Sequence, residues 1–317
     1  MQNRLNTATK STPLINLREP YLPTINLYAK LEGFNPTGSV KDRAAYYILD
    51  KALRTREINK NTLILESSSG NFGIALAARC AQLGLKFYCV IDENISPTNE
   101  TIIRSLGAQV HKISEPDEKG GYLLNRIEKT KELLASHKNA YWVNQYANPY
   151  NAEAYYETLG KEIYEEVKNI GYLFIGVSSG GTISGVSRKI RELSPETRII
   201  AVDAEGSVIF GGQSKKRFIP GIGSSMVPEI LKSALIDEVI HVPEKMTVEA
   251  CHDFLKRNNI RIGGSSGTVM AAIRLYFKDK CVPEGTNIVT IFPDRGERYV
   301  DTIYNKDWCL EKFNMSP

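Results

Sequence analysis

Short, nearly continuous apolar runs alternate along this chain with longer amphipathic stretches. Continuous hydrophobicity, as opposed to strict alternation, is typical of strands buried on both faces of a parallel sheet. The strand candidates are residues 62–66, 86–91, 109–113, 140–143, 172–177, 198–202 and 287–292. The helix candidates are residues 44–53, 73–83, 97–106, 122–136, 151–168, 182–193 and 266–277. Strand followed by helix, repeated in this way, predicts an α/β fold with mainly parallel sheets.

Length and charge limit the architecture and the partners. A chain of 317 residues is long enough for one large α/β unit or for two domains. The turn-rich segment 144–151 lies near the middle and is a candidate crossing between two lobes. The formal net charge is only +4, and the longest basic run is Lys215-Lys216-Arg217, which we interpret as a solvated loop. Nucleic acid is therefore not an expected partner.

The sequence carries no pattern of a disulfide framework, a metal site or a membrane segment. Its five cysteines are scattered without a C-x-x-C pair, and its four histidines form no H-E-x-x-H motif. Residues 1–10 are polar and lack the apolar core of a signal peptide. No apolar stretch approaches the roughly 20 residues that span a bilayer. We therefore expect no metal and no membrane association, and a cytoplasmic location.

One loop, N-P-T-G-S-V-K-D-R at residues 35–43, places a lysine at the start of a predicted helix. Pro36 and Gly38 favour a tight turn, and Ser39 is a good N-cap, so Lys41 falls in the first helical turn. The positive end of the helix dipole disfavours a cation and lowers the pKa of an amine, as a nucleophilic lysine requires. An ordinary exposed loop lysine is the alternative interpretation.

Three further loops lead from apolar runs into helices through small residues. They are S-S-S-G-N-F-G at residues 67–73, G-V-S-S-G-G-T-I-S-G at residues 176–185 and G-G-S-S-G-T at residues 263–268. Backbone N–H groups at a helix start bind anions, so the first loop suits a carboxylate and the second a phosphate. Each loop alone is equally consistent with an ordinary capped turn, and the second is not a Walker A loop because no lysine follows its last glycine.

These motifs together resemble a known family. N-P-T-G-S-V-K-D-R, S-S-S-G-N-F-G, S-S-G-G-T, P-G-I-G (residues 220–223), G-G-S-S-G and P-D-R-G-E-R-Y (residues 293–299) look like the signature set of the cysteine synthase and cystathionine β-synthase family. The members of that family are fold-type II enzymes that depend on pyridoxal 5'-phosphate (PLP). The motifs occur in the family's order and cover the chain from about Leu14 to Tyr304.

The resemblance implies a cofactor role for residues in four of the motifs. Lys41 is expected to form the covalent link to PLP and to move the α-proton of the substrate. Asn71 is expected to hydrogen-bond the 3'-oxygen of the cofactor, and Ser265 to face its pyridine nitrogen. The residues expected to hold the phosphate are Ser178, Ser179, Gly180, Gly181 and Thr182.

The resemblance also implies the reaction and the substrate site. Ser68, Ser69 and Gln145 are expected to bind the α-carboxylate of an amino-acid substrate. The family replaces the β-substituent of an activated serine through an α-aminoacrylate intermediate, while a mobile lobe closes and excludes water. This chain is therefore expected to be a PLP-dependent transferase.

Three positions depart from the common pattern of sulfide-using members: Ser178 replaces a glycine, Tyr146 a phenylalanine and Phe72 a threonine. With segments 202–211 and 218–223 and the run Gly120-Gly121-Tyr122-Leu123, they make the chain similar to the N-(2-amino-2-carboxyethyl)-L-glutamate synthase branch of siderophore (staphyloferrin B) biosynthesis. That branch joins O-phospho-L-serine to L-glutamate on a route to 2,3-diaminopropionate.

A phosphate leaving group needs cationic or N–H partners, and Arg126 is a candidate, although a solvated helix arginine is the alternative. Tyr146 and Ser178 are candidate hydroxyl donors to the phosphate or to a dicarboxylate. A cysteine synthase that combines O-acetyl-L-serine or O-phospho-L-serine with sulfide, or a cysteine β-lyase, is the alternative activity. A non-enzymatic sensor on the same fold is a third possibility.

The resemblance finally implies two α/β domains with PLP in the cleft between them. Residues 40–148 are expected to form an N-terminal domain that contains the mobile lobe. Residues 1–39 and 149–317 are expected to form a larger, discontinuous PLP-binding domain. Members of the family are usually homodimers, so the same assembly is expected here.

Overall fold

A computed structural model of the protein describes residues 11–117 and 121–316. Residues 1–10 and Gly120, which entered the sequence analysis, lie outside the described residues. The elements follow the order β1 (Leu14–Leu17), β2 (Asn26–Leu31), α1 (Lys41–Arg54), β3 (Leu63–Ser67), α2 (Asn71–Leu83), β4 (Lys86–Asp92), α3 (Pro97–Ser105), β5 (Gln109–Ile113), α4 (Leu123–Ser136), β6 (Ala140–Trp142), α5 (Pro149–Glu157), α6 (Leu159–Glu166), β7 (Ile170–Gly176), α7 (Gly181–Leu193), β8 (Arg198–Ala204), β9 (Glu238–Val242), α8 (Glu244–Asn258), α9 (Gly264–Phe277), β10 (Asn287–Phe292) and α10 (Lys306–Phe313). Short 3-10 helices cover Glu32–Phe34, Glu229–Ser233 and Gly296–Tyr299.

The strands form two sheets. One has six strands in the order β1-β2-β10-β7-β8-β9, and the other has four in the order β5-β4-β3-β6. Every neighbouring pair of these strands is parallel except β1 with β2. The predicted α/β class with mainly parallel sheets is therefore confirmed. The amino-terminal strands lie in the same sheet as β10, while the exact domain boundaries stay a prediction.

Local sequence signals explain where several helices begin. Ser96 precedes α3 and its hydroxyl accepts a hydrogen bond from the Asn99 amide at 3.2 Å, with Pro97 at the first helical position. Asn148 does the same for α5, accepting from the Tyr150 amide at 3.0 Å. A side-chain acceptor followed by proline satisfies the free N–H groups of a first turn, so both starts follow from the sequence.

The predicted single helix over residues 151–168 is wrong in one respect, because the structure divides it into α5 and α6 at Thr158. Thr158 has φ −117° and ψ −81°, outside the helical region, and its hydroxyl donates to the Ala154 carbonyl at 2.6 Å. A β-branched residue that hydrogen-bonds back to the preceding turn favours such a break.

Strands β1, β2 and β9 and helices α8 and α10 were not predicted. In β2 the reason is Lys30, whose charge interrupts the apolar pattern although the side chain is fully buried. Its ammonium lies 3.1 Å from a Glu162 carboxylate oxygen and 2.8 Å from one of Glu166. In β9 the first four residues alternate between partly buried and exposed and only Val242 is buried, because this strand forms one edge of the six-stranded sheet. A short, half-exposed strand gives little hydrophobic signal.

Buried ion pairs hold the start of α1. Arg43 donates to both carboxylate oxygens of Glu32, at 2.7 and 2.9 Å, and to both of Glu162, at 2.6 and 2.8 Å. Arg43 and Glu32 are buried, so neither charge can be solvated by water if its partner is lost. The helix that begins at Lys41 is thereby joined to the end of β2 and to α6.

Within the described residues, no helix combines the length and the apolar character needed to cross a bilayer.

We predict that Arg43→Ala lowers the free energy of unfolding by about 3–5 kcal/mol, because Glu32 is left as an unpaired buried carboxylate. Urea denaturation of the purified variant measures this. Lys161→Ala is the control, since Lys161 forms an exposed pair with Glu165 at 3.8 Å and its loss should cost about 0.5 kcal/mol or less. Equal losses in the two variants would contradict the importance of the buried pairs.

Candidate active site

Lys41 is the first residue of α1, and its side chain is partly buried. Its ammonium group has no hydrogen bond or ion pair to any residue in the ranges 11–117 and 121–316. Removal from water lowers the pKa of Lys41 to about 8, and the negative charge of Asp294 opposes this shift. An amine with such a pKa supplies a usable fraction of the neutral, nucleophilic form near neutral pH.

The predicted N-cap at Ser39 is wrong by one residue. Val40 occupies the cap position without a side-chain cap, and the Ser39 hydroxyl accepts from the Lys41 amide at 3.3 Å. The backbone of this loop is instead tied to the loop after β10. Ser39 forms an isolated β-bridge with Asp294, and the Val40 amide donates to the Pro293 carbonyl at 2.8 Å.

A pocket collects most of the residues predicted to bind the cofactor. It is lined by Lys41, Ser178, Ser179, Gly180, Thr182 and Ser265, together with neighbours that include Gly221 and Pro293. Gly181 is the exception in the predicted phosphate loop, since it does not line the pocket. A Cβ built on Gly181 would lie 2.4 Å from the amide oxygen of Asn151, so this glycine allows close packing with α5.

One wall of the pocket suits a phosphate. Gly180 precedes α7 with φ +87°, a left-handed conformation that glycine adopts without strain. The turn ends at the start of a helix of 13 residues, where free N–H groups and the helix dipole favour an anion. Ser179 and Thr182 add neutral hydroxyl donors on the same wall. These donors fit the phosphate of PLP.

The hydroxyl of Ser178 donates to the Gly223 carbonyl at 3.2 Å, which connects the phosphate wall to the segment 205–225. The prediction that Lys215-Lys216-Arg217 is a solvated loop holds for the two exposed lysines and is wrong for Arg217. Arg217 donates to the Gly206 and Ser224 carbonyls at 2.7 and 3.2 Å. It therefore fixes the loop beside the pocket.

Ser265 lies in the first turn of α9 and is buried in the pocket wall. Its side chain is a neutral hydroxyl, which can accept or donate a hydrogen bond without imposing a charge on a ring nitrogen. This chemistry fits the role that the resemblance implies for it.

The residues predicted to bind a substrate carboxylate surround the loop between β3 and α2. The Ser68 hydroxyl accepts from the Gly73 amide at 3.1 Å, and the Gln145 side-chain amide donates to the Ser67 carbonyl at 3.2 Å. The Ser69 hydroxyl accepts from the Asp92 amide at 2.9 Å. The structure therefore brings Ser68, Ser69 and Gln145 to one loop.

Arg126 reaches this loop from α4. Its Nη1 donates to the Ser69 hydroxyl at 3.1 Å, and its Nε lies 3.0 Å from an Asp92 carboxylate oxygen. The alternative of a solvated helix arginine is wrong, since only 12% of the side chain is exposed. Tyr146 is close enough for the charge of Arg126 to oppose the burial that raises its pKa to about 12. Sequence reasoning missed Asp92, because an acidic residue at a strand end carries no motif of its own.

A buried carboxylate beneath the loop was also missed. Glu66 accepts from the Ser67 amide at 2.8 Å and from the Gln145 amide at 3.3 Å. Burial raises the pKa of Glu66 to about 7, although these amides and the charge of Arg126 favour its ionised form. The hydrogen bonds of Glu66 to these two amides fix the backbone at Ser67 and Gln145.

Asn71 is the first residue of α2 and lies outside the pocket lining, beside the loop after β10. Its side-chain amide nitrogen donates to Asp294 at 2.7 Å, and its oxygen accepts from Arg298. The motif P-D-R-G-E-R-Y contains both partners, so their position could have been suspected from the sequence although their contact could not.

Within the described residues, an unpaired lysine amine and a helix start with neutral hydroxyl donors line one pocket of this α/β fold, which is the combination that a PLP site requires. The chain belongs to the pyridoxal-phosphate-dependent enzyme family, whose model matches residues 5–294. Two solved structures place it within the fold-type II cysteine synthase and cystathionine β-synthase group. It is therefore a PLP-dependent enzyme of the cysteine synthase type and not a sensor.

The first of these structures is an O-acetylserine-dependent cystathionine β-synthase from Helicobacter pylori. It has 34% sequence identity and a TM-score of 0.88, and the match covers 96% of this chain and 99% of that one. The second is an O-ureido-L-serine synthase with 27% identity and a TM-score of 0.86, covering 99% of this chain and 96% of that one. Both matches extend over essentially the whole fold.

We predict that the rate at which the cofactor-free protein takes up PLP rises with pH to a plateau, with a midpoint near pH 8. The neutral amine of Lys41 is the reactive form, and its pKa is about 8. An unperturbed lysine would give a midpoint of about 10.4. The growth of the visible absorption band after mixing measures the rate, and Lys41→Ala should form no such band. A rate that still rises tenfold per unit between pH 9 and 10 would contradict the lowered pKa.

Proposed function

We propose that this enzyme replaces the phosphate of O-phospho-L-serine with the amino group of L-glutamate. The products are N-(2-amino-2-carboxyethyl)-L-glutamate and inorganic phosphate. A C–N bond forms at the β-carbon and the glutamate nitrogen loses a proton, while the C–O bond to phosphate breaks. The phosphate leaves with the bonding electrons, and overall one proton passes from the amino group to the released phosphate. Replacement of a β-substituent on an activated serine is the chemistry of the group to which the chain belongs.

The cofactor site divides the work among a few residues. PLP, when bound, supplies an electron sink for the negative charge that develops at the substrate's α-carbon. Lys41 holds the cofactor and carries the proton to and from that carbon, for which its lowered pKa is suited. The start of α7, with Ser178, Ser179 and Thr182, would hold the phosphate group, and Ser265 would face the ring nitrogen.

The carboxylate of the donor amino acid is assigned to the loop after β3. Backbone amides at the start of α2 and the hydroxyls of Ser68 and Ser69 offer hydrogen bonds to an anion there. Gln145 supports the other side of this loop through its 3.2 Å contact with the Ser67 carbonyl. The donors of the loop and the contact from Gln145 are all uncharged, so they orient the substrate carboxylate without adding a charge that would compete with it.

The observation that carries the choice of donor is the position of Arg126. A guanidinium held against Ser69 by Asp92 places charge-assisted N–H donors at the substrate loop, and a phosphate leaving group needs such donors. The unionised hydroxyl of Tyr146 lies in the same charged environment and can donate a further hydrogen bond. An acetate leaving group would need neither.

O-Acetyl-L-serine is the alternative donor, because the Helicobacter pylori protein with 34% identity depends on it. With sulfide as the nucleophile, the enzyme would then be a cysteine synthase. Tyr146, in place of the phenylalanine common in sulfide-using members, favours a more polar acceptor, whereas the Ser178 hydroxyl already donates to the Gly223 carbonyl.

Incubation of the purified enzyme with O-phospho-L-serine and L-glutamate should give the condensed product by mass spectrometry, with one phosphate released per product. L-Glutamine in place of glutamate tests whether the second carboxylate is recognised, and should react much more slowly. Rapid cysteine formation from O-acetyl-L-serine and sulfide, without any glutamate product, would refute the proposal.

Arg126→Gln should lower kcat/KM for O-phospho-L-serine by about 10- to 100-fold, the value of a charge-assisted hydrogen bond of about 1.5–3 kcal/mol. Turnover of O-acetyl-L-serine should change by less than about threefold, since it lacks the phosphate charge. Lys129→Gln on the same helix is the control, because Lys129 pairs with Glu132 and not with the substrate loop. Equal losses with both donors would show that Arg126 only supports the loop.

A further inference from the structure

Asp294 is linked to both a residue expected to hold the cofactor and the loop that carries the other one, through Asn71 and Ser39 respectively. It follows β10 directly, and its backbone forms the isolated bridge with Ser39, two residues before Lys41. Its side chain reaches Asn71 at the start of α2. No cofactor or substrate role was predicted for it.

The carboxylate of Asp294 is held in one orientation. Its Oδ2 accepts from the Asn71 amide and from the Tyr299 hydroxyl, both at 2.7 Å. Its Oδ1 is buried without a hydrogen-bond partner among the described residues, and a Cβ on Gly263 would lie 1.8 Å from it. A buried, half-satisfied carboxylate is costly, and glycine at position 263 makes room for it. Such a cost is typical of a functional site.

Its contact with Asn71 fixes which way that amide points. The nitrogen of an asparagine amide only donates and the oxygen only accepts. Arg298 can only donate to Asn71, and an ionised Asp294 can only accept from it, so the two partners define a single orientation. One N–H of Asn71 is used by Asp294, and the second remains available to an acceptor. Arg298 also donates to the Thr37 carbonyl, in the loop that leads to Lys41.

We propose that Asp294 is a positioning residue of the cofactor site. It holds Asn71 so that the second N–H faces the 3'-oxygen of PLP, and it presents a negative charge to the nitrogen of Lys41. The inference rests on PLP binding by this family, on the role proposed for Lys41 and on the contact with the 3'-oxygen that the sequence leads us to expect for Asn71. It does not depend on which donor or acceptor the enzyme uses.

The charges around Asp294 agree with this role. The titratable or charged groups that face it are Lys41 from α1, Arg298 and Tyr299 from the 3-10 helix, and the buried thiol of Cys251 from α8. Burial raises the pKa of Asp294, while hydrogen bonds from Tyr299 and Asn71 and the charges of Arg298 and Lys41 favour its ionised form. An ionised Asp294 stabilises the protonated state of the Lys41 nitrogen.

The first test uses the visible spectrum of the PLP-loaded enzyme, which reports the protonation of the nitrogen that joins Lys41 to the cofactor. In Asp294→Asn the midpoint of the spectral pH titration should fall by about one unit or more, because a negative neighbour is lost. Asp203→Asn is the matched control, since Asp203 is also buried with one unpartnered oxygen but lies at the end of β8. An unchanged midpoint in Asp294→Asn, or the same shift in both variants, overturns the charge role.

The second test is a double-mutant cycle on the dissociation constant of PLP. Asp294→Asn should weaken PLP binding about tenfold in the wild-type background and less than about threefold in Asn71→Ala, because the effect passes through Asn71. An equal loss in both backgrounds overturns the positioning role.

Arg298→Gln provides a second variant if Asp294→Asn does not fold. It should also weaken PLP binding through Asn71, but it must not lower the spectral midpoint, because it removes a positive charge. A lowered midpoint would contradict the proposal. Failure of the glutamate reaction alone would leave all these spectral and binding results unaffected.

Discussion

The chemistry of this protein depends on holding one lysine amine out of water without neutralising it. A buried ammonium without a partner costs free energy, and the protein lowers that cost by shifting the pKa of Lys41 to about 8. Asp294 limits the shift, so the amine stays close to the point where it can both give and take a proton. Arg43 lies two residues after Lys41 in the same helix. Its ion pairs with Glu32 and Glu162 keep the start of the helix, and with it the amine, in place. The first turn of α1 therefore carries both the reactive lysine and the arginine whose ion pairs stabilise the fold.

The other recurring constraint is the use of helix starts in place of charged side chains. Helices α2, α7 and α9 each have a glycine at the N-cap and serine or threonine close to their starts, and each begins with free backbone N–H groups. Such donors bind a carboxylate or a phosphate but do not compete with Lys41 for the negative charges at the site. Arg126 is the cation held at the substrate loop, and Asp92 balances it. The site therefore separates anion binding from acid–base chemistry.

The fold class and the cofactor loops could be predicted because they are local properties of the sequence. The strand at residues 109–113 and the strand at residues 287–292 agree with the structure to the residue. Strand β2 was not predicted because Lys30 interrupts its apolar run. A buried lysine can be expected only when the carboxylates that pair with it are known, and here they lie on a distant helix. The contact of Arg126 with Ser69 and the network of Asp294, Asn71 and Arg298 join residues that are 57 and more than 200 positions apart. No periodicity or spacing rule contains that information.

Strand order has a consequence for how the molecule is made. The four-stranded sheet uses a contiguous stretch, from Leu63 to Trp142, so all of its strands are synthesised before β7. In the six-stranded sheet β10 lies between β2 and β7, so that Asn26 of β2 pairs with Asn287 of β10. Strands β1 and β2 must therefore wait until β10 has been synthesised before β2 gains its parallel neighbour. Until then their edge is open to unwanted partners, and this is the interval in which we expect the nascent protein to need a chaperone most.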